Sequence, residues 1–329
     1  MRRLRWGILG TANIGRVAVI PAIQASRNGQ VVAVGSRDET RAGAFAEAAG
    51  IPRSHGSYQG LVDDPDVEAI YLPLPNSLHR EWTIRTAERG KHVLCEKPLA
   101  LSAAEAAEME RATAANGVKL MEAFMYRFHP RTERLVEMVR GGPVGQLRRI
   151  RSAFTFRLTR PDNIRLDPAL GGGALMDVGC YCVNVSRTIA GAKPEEVQAW
   201  AVWGPTGVDL ELAGALRFPG GVVAQFDCAL SMERREWCEV AGTDGALRIE
   251  AAFLPGTADA MIEERRGRAP TVEHWVTGAD EYRHMVEDFA DAVLHDRPVR
   301  FPPSEAAANM RVIEALYRSA RNGGRPETL

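Results

Sequence analysis

Leu4-Arg-Trp-Gly-Ile-Leu-Gly-Thr-Ala-Asn-Ile-Gly15 is the stretch on which the fold turns. Its first half, Leu4 to Leu9, is apolar enough to be a strand buried in a sheet. Its second half, Gly10-Thr-Ala-Asn-Ile-Gly15, is a tight turn into a helix that begins near Asn13. The spacing follows the dinucleotide fingerprint Gly-x-Gly-x-x-Gly, with Ala12 where the second glycine usually stands. At that point the backbone must approach a pyrophosphate, and a methyl group is the smallest intrusion available. The amides that open the helix and the positive end of its dipole suit phosphate oxygens. Gly10, Thr11, Ala12, Asn13 and Ile14 are therefore expected to hold a nucleotide.

Outward from that turn the same grammar repeats to about Leu120. Strands are expected at 30–36, 67–72, 91–95 and 118–121, and helices at 14–25, 39–49, 78–89 and 103–116. Such alternation predicts an α/β domain over 1–122, a Rossmann-type doubly wound parallel sheet. Beyond Met121 the pattern changes. A helix ends near Arg140, extended segments follow at 146–157, 196–203, 209–218, 221–230, 237–242 and 246–250, and helices return at 280–295 and 304–321. Turns such as Phe218-Pro-Gly-Gly221 and Thr243-Asp-Gly245 join neighbouring strands and imply antiparallel pairing. Residues 123–329 are expected to form an α+β domain with a large, mainly antiparallel open sheet, which binds substrate. One face of that sheet lacks helices to cover it, so a homodimer or homotetramer is expected through it.

The bulk properties exclude several classes. The 329 residues are 45% hydrophobic and 25% charged, with a formal charge of -1. That balance gives no global attraction to nucleic acid or acidic membranes. No apolar run reaches the roughly 20 residues needed to span a bilayer, and Met-Arg-Arg-Leu-Arg-Trp leads into a strand and turn, not a signal sequence. A cytoplasmic location follows as the expectation. The five cysteines are scattered and odd in number, which argues against a disulfide framework, and no His or Cys cluster completes a metal site.

The end of the second strand distinguishes between cofactors. An acidic residue there would hold a ribose 2'-hydroxyl, but the chain has Gly35-Ser36-Arg37, with Arg41 one helical turn further on. A hydroxyl and two guanidinium groups suit a 2'-phosphate, favouring NADP(H). Asp38 offers the alternative of a surface ion pair with Arg37. After the strand at 67–72, Pro73 and Pro75 force the chain out of the sheet. Leu74, Pro75 and Asn76 are then placed along the ribose and nicotinamide, with His79 on the cofactor side.

Two further segments carry chemistry. Glu96-Lys97-Pro98 follows a buried strand and delivers an ammonium group to its carboxyl end, where open α/β sheets bind ligands. Lys97 is one of only four lysines in a chain rich in arginine, and lysine, unlike arginine, can give up its proton. Glu96 either contacts the cofactor or holds the turn. In the second half, Gly171-Gly-Gly precedes a helix on which Asp177 and Tyr181, four apart, share a face. The glycines let another group approach its first turn closely. A carboxylate, a phenol and Lys97 suit removal of a proton from a sugar-like hydroxyl. Arg157, Asn163 and Arg165 precede that helix and are candidates to line the substrate pocket.

Taken in order, Gly10-Thr-Ala-Asn-Ile-Gly15, Pro75-Asn76 with His79, Glu96-Lys97-Pro98 and Gly172-Gly-Ala-Leu-Met-Asp177-Val-Gly-x-Tyr181 resemble the Gfo/Idh/MocA oxidoreductase family over essentially the whole chain. Tyr181, Ser36-Arg37 and the segment Met121-Glu-Ala-Phe-Met-Tyr-Arg-Phe-His-Pro130 are similar to its branch of NADP-dependent D-xylose dehydrogenases, dihydrodiol dehydrogenases and glucose-fructose oxidoreductase. Ala12 departs from the family's commonest glycine. The resemblance implies hydride transfer between NADP(H) and a hydroxyl or carbonyl carbon of a sugar, cyclic polyol or dihydrodiol. Lys97 and Tyr181 would handle the proton, in either order, and Asp177 would bind a neighbouring hydroxyl. Two other readings use the same fold: a non-catalytic NADP-binding sensor, and glycoside cleavage through tightly held NAD(H).

Overall fold

Leu4–Leu9 forms strand β1 inside a six-stranded parallel sheet in the computed structural model, which describes residues 2–329. The other strands are β2 (Gly29–Gly35), β3 (Ser54–His55), β4 (Ala69–Leu72), β5 (His92–Cys95) and β6 (Leu120–Glu122), in the order β3-β2-β1-β4-β5-β6. The order reverses between β1 and β4. A crevice at that switch, at the carboxyl ends of the strands, is the ligand side of such a sheet. All four residues of β4 are buried, as expected of a parallel strand covered on both faces.

The connecting helices are α1 (Ile20–Ala25), α2 (Glu39–Ala49), α3 (Tyr58–Val62), α4 (His79–Glu88) and α5 (Ala103–Ala115), and a π-helical turn, Gly15–Val19, leads into α1. Leu9, Ile70, Leu72, Val93, Cys95 and Leu120 meet in one apolar core.

Met1–Met125 and Tyr282–Ala307 together make this first unit. The returning segment packs the Phe289 ring 5.4 Å from that of Trp6. It also receives the Asn28 side chain, which donates to the Glu287 carbonyl at 2.9 Å and to Asp291 at 2.8 Å.

Tyr126–Glu281 and Ala308–Leu329 make the second unit. It holds α6 (Pro130–Gly141), β7 (Leu147–Arg157), a π-helical turn Leu175–Gly179 running into α7 (Cys180–Ala190), and then β8 (Glu196–Trp203), β9 (Asp209–Arg217), β10 (Val223–Ala229), β11 (Ser231–Gly242), β12 (Ala246–Glu250), β13 (Ala260–Arg265) and β14 (Val272–Val276). Helices α8 (Glu281–Leu294) and α9 (Pro303–Arg321) and a short β15 (Glu327–Thr328) complete the chain.

The nine strands run β14-β13-β12-β11-β7-β10-β9-β8-β15; β7 and β10 are parallel and the other pairs antiparallel. Along β8, Val197 and Ala199 are buried, whereas Trp200 and Val202 on the opposite face are 54% and 55% exposed. Trp275 on β14 is 62% exposed. One face of this sheet is therefore open.

Both architectures match the sequence pattern, but β3, α3, β13, β14, β15 and the first half of β11 are additions to it. They are short or heavily charged. β13 reads Ala-Met-Ile-Glu-Glu-Arg, and its buried Glu264 is held by Arg266 and by His274 of β14 at 2.8 Å. Such a strand is made by its neighbours, not by its own alternation. The five cysteines are all free and buried. Among the described residues no helix is long and apolar enough to cross a membrane.

Candidate active site

In the first unit, the turn after β1 is shaped by Gly10, whose φ of +112° excludes other residues. Its N–H donates to the Gly35 carbonyl at 2.8 Å and ties the ends of β1 and β2 together. A Cβ at this position would stand 3.0 Å from Leu74 Cδ2, so Leu74 closes the underside of the turn. Thr11, Ala12 and Ile14 are half-buried and Asn13 is exposed, its Oδ1 accepting from Arg16 at 2.8 Å. The first helical amides have no acceptor within the helix and point outward from its start.

At the end of β2, Ser36 is buried and donates its N–H to the His55 carbonyl, while Arg37 and Arg41 are exposed. Asp38 caps α2 by accepting the Arg41 N–H at 2.6 Å. No Arg37–Asp38 ion pair is formed among the described residues. A glycine cradle, an open helix start and two guanidinium groups at the end of β2 together fit a dinucleotide.

The lysine loop is pinned from several sides. Buried Tyr71 donates its hydroxyl to Glu96 Oε1 at 2.6 Å, and the Lys97 N–H donates to Glu96 Oε2 at 3.3 Å. Glu96 thus holds the turn. The Leu99 N–H donates to the buried Glu122 at 2.8 Å, and the Lys97–Pro98 peptide bond is cis. His79 is fully buried, with Nδ1 3.0 Å from the Pro98 carbonyl oxygen and Nε2 2.8 Å from that of Leu74. It therefore serves the Leu74 and Pro98 loops from beneath. Burial lowers its pKa, the carbonyls oppose that, and the Lys97 charge adds to the lowering. Asn76 begins a 3-10 turn, Asn76–Leu78, and α4 starts without a side-chain cap.

In the second unit, the Gly171-Gly-Gly turn is wrapped by the segment before it. The Gly172 and Gly173 N–H groups donate to the Asp167 and Arg165 carbonyls at 3.0 and 2.9 Å. A Cβ on Gly172 would lie 2.4 Å from the Arg165 carbonyl oxygen. Arg165 then donates from Nε to Asp177 Oδ2 at 2.6 Å. Asn163 caps a separate 3-10 turn, Ile164–Leu166, accepting the Arg165 N–H at 3.0 Å. The Asp177 charge raises the Arg165 pKa against the cost of burial, and Tyr181 adds to the rise. Arg157, exposed at the end of β7, makes no side-chain hydrogen bond to this group among the described residues.

Tyr181 is 5% exposed and walled by aromatic rings: Phe253 at 5.3 Å, Phe154 at 5.4 Å and Tyr126 at 5.8 Å between centroids. Tyr126 donates to Asn184 on α7 at 2.6 Å, and burial raises its pKa beyond the ordinary phenol range. The loop carrying Phe253 is itself fixed. Arg131 donates to the carbonyls of Glu250 and Ala251 at 2.7 and 2.6 Å, and Glu236 accepts the Phe253 N–H at 2.8 Å. Glu236 and Phe253 are marked by no local motif; Phe253 lies in a loop of Ala, Phe and Leu that reads as ordinary core. Phe154 stands at an apolar position of an expected strand, and Tyr126 stands within the Met121–Pro130 segment, so those two are legible in the sequence.

Comparison with known proteins gives the family. Residues 4–124 match the model of an oxidoreductase family with an NAD-binding Rossmann fold, and residues 132–248 match the GFO/IDH/MocA C-terminal domain. The chain belongs to the Gfo/Idh/MocA oxidoreductase family. It is 43% identical to D-xylose 1-dehydrogenase (NADP(+)) 2 of Haloferax volcanii over 98% of this chain and 99% of that protein. It is 38% identical to trans-1,2-dihydrobenzene-1,2-diol dehydrogenase of Mus musculus over 82% and 81%. Among solved structures it resembles aldose-aldose oxidoreductase from Caulobacter crescentus complexed with glycerol, with TM-score 0.92, 29% identity and both chains covered completely, at 100%. It also resembles the 3-ketoreductase KijD10 from Actinomadura kijaniata in complex with NADP and TDP-benzene, with TM-score 0.92, 29% identity and 97% and 98% coverage.

Proposed function

We propose that this protein is an NADP(H)-dependent dehydrogenase or reductase acting at a hydroxyl or carbonyl carbon of a sugar, cyclic polyol or dihydrodiol. The bound nicotinamide supplies or accepts the hydride. The backbone of Gly10 to Ile14 receives the pyrophosphate, and Ser36, Arg37 and Arg41 receive the 2'-phosphate. Leu74, Pro75 and Asn76 lie along the ribose and nicotinamide. Tyr181 exchanges the proton of the reacting hydroxyl, and Lys97 contributes the positive charge that holds the oxygen as the proton leaves. Reversing those two roles gives the same net transfer. Asp177, gripped by Arg165, accepts a hydrogen bond from a neighbouring substrate hydroxyl.

The observation that carries this reading is the pinned lysine loop. Glu96, Glu122 and His79 fix the main chain on either side of Lys97, an investment suited to presenting one ammonium group in one place. A panel of aldoses, inositols and dihydrodiols incubated with NADP+, followed at the absorbance of the reduced nicotinamide, tests it. Turnover of at least one member is expected. Tight NADP binding with no turnover would instead indicate a cofactor-sensing protein.

The same reading extends to assembly. Trp200, Val202 and Trp275 on the open face of the nine-stranded sheet form a surface that a second copy would cover, giving a dimer or tetramer.

A further inference from the structure

We propose that Asp209 is a positioning residue for the turn that carries Asp177 and Tyr181, an inference that rests on the role given to those two residues above. The turn Leu175–Gly179 opens behind Ala174, whose side chain cannot cap it. The cap comes from another element. Asp209, the first residue of β9, accepts the Leu175 N–H on Oδ2 at 2.7 Å. Its other oxygen, Oδ1, accepts the hydroxyl of Tyr317 on α9 at 2.7 Å.

Gly173 explains how the carboxylate gets there. With φ at +123°, a Cβ on this residue would lie 2.1 Å from Asp209 Oδ1. Only glycine admits both the backbone angle and the carboxylate, so the Gly-Gly signature and Asp209 are two halves of one arrangement.

Asp209 is 1% exposed. A buried carboxylate is unfavourable unless its oxygens are satisfied, and here both are. Burial pushes its carboxyl up to about 6 against those two hydrogen bonds, while the phenol of Tyr317 is held far above its usual range by burial and by Asp209 itself. Tyr317 is therefore the donor near neutral pH. A negative charge at the start of a helix also gains from the helix dipole.

The turn is thus clamped at two points. Arg165 holds Asp177, and Asp209 holds Leu175 two residues earlier. Release of the second clamp lets the turn rotate about the first and moves the phenol at 181 with it. A displacement of about 1 Å in a catalytic group costs about 100-fold in rate.

The test uses the full-length protein and its NADP-linked turnover of whichever sugar, polyol or diol it accepts. In Asp209→Ala, kcat is expected to fall about 10- to 100-fold, with NADP affinity changed less than about twofold. Amide exchange at residues 174–179 should quicken. Asp209→Asn, whose amide oxygen can still accept from Leu175, should recover most of kcat, and Tyr317→Phe should fall between. Unchanged kcat in Asp209→Ala overturns the proposal. So does a parallel loss of kcat, substrate KM and cofactor affinity that Asp209→Asn fails to relieve, since that is a folding defect. If the unsubstituted protein turns over nothing in the panel, the oxidoreductase reading fails on its own account. Exchange at 174–179 then decides alone: quickening in Asp209→Ala upholds the clamp, and unaltered exchange overturns it.

Discussion

The imidazole Nδ1 of His79 lies 3.0 Å from the carbonyl oxygen of Pro98, the residue after the candidate catalytic lysine. Its other nitrogen meets the Leu74 carbonyl on the loop that closes beneath Gly10. Carbonyls only accept, and a neutral ring has a single N–H, so the tautomer selects which loop is tied. His79→Ala leaves both carbonyls buried without it. We expect a stability loss of about 1–3 kcal/mol in urea unfolding and a lowered kcat with intact NADP binding to a folded fraction. An unchanged unfolding midpoint would remove His79 from its bracing role.

Lys97→Met and Tyr181→Phe should each reduce turnover by about two to four powers of ten while NADP(H) still binds. Comparing their pH–rate profiles assigns the proton: the variant that lacks the proton carrier loses the limb that the other retains. Near-normal turnover in either variant would sink that residue's assignment.

Arg37 and Arg41 stand exposed at the end of β2, with Asp38 occupied as a helix cap. The double variant with both arginines replaced by alanine should weaken NADP(H) binding about 10- to 100-fold and leave NAD(H) binding nearly unaltered, as read by fluorescence titration. Equal losses for the two cofactors would show that the guanidinium groups do not meet a 2'-phosphate.

Glu281 is buried, and burial pushes its carboxyl up to about 7; nearby Asp280 and Glu236 add to the rise and Arg131 opposes it. Between its ordinary value of 4.5 and about 7 the folded protein holds a proton that the unfolded chain releases. The resulting stability is complete below pH 4.5 and is lost as pH rises through 7. Glu281→Gln keeps the neutral form at every pH. Its advantage should be nil in acid and grow to about 2–3 kcal/mol above neutrality in urea titrations at several pH values.

Replacing Trp200 and Trp275 by glutamate puts charge on the open face of the nine-stranded sheet without touching either core. Light scattering should show the unsubstituted protein as a dimer or larger and the double variant as a monomer. A monomeric unsubstituted protein would refute the assembly.

What could be read from the sequence is what local chemistry controls. The turn at Gly10 is local, as are the strand ending in Glu96-Lys97-Pro98 and the glycine entry to the helix of Asp177 and Tyr181, and all three lie where the pattern puts them. What could not be read is support from far along the chain. Glu236 holds the amide of Phe253, and Phe253 lines the wall beside Tyr181; neither residue carries a motif, and both lie more than 50 positions along the chain from Tyr181. His79 shows the same limit. Its place at the start of a helix suggested access to the cofactor, whereas packing enclosed the ring completely. Charged strands such as β13 fail for a related reason, since their burial comes from partners that supply counter-charges.

The return of Tyr282–Ala307 to the first unit makes its nucleotide fold a split cassette in the gene. A fragment ending at residue 125 would bare the indole of Trp6 where the tilted Phe289 ring packs and strip Asn28 of its acceptors. Recombination that exchanged second units among relatives would succeed only with two junctions, one on each side of the insertion. Modular swapping with a single crossover is closed to this architecture.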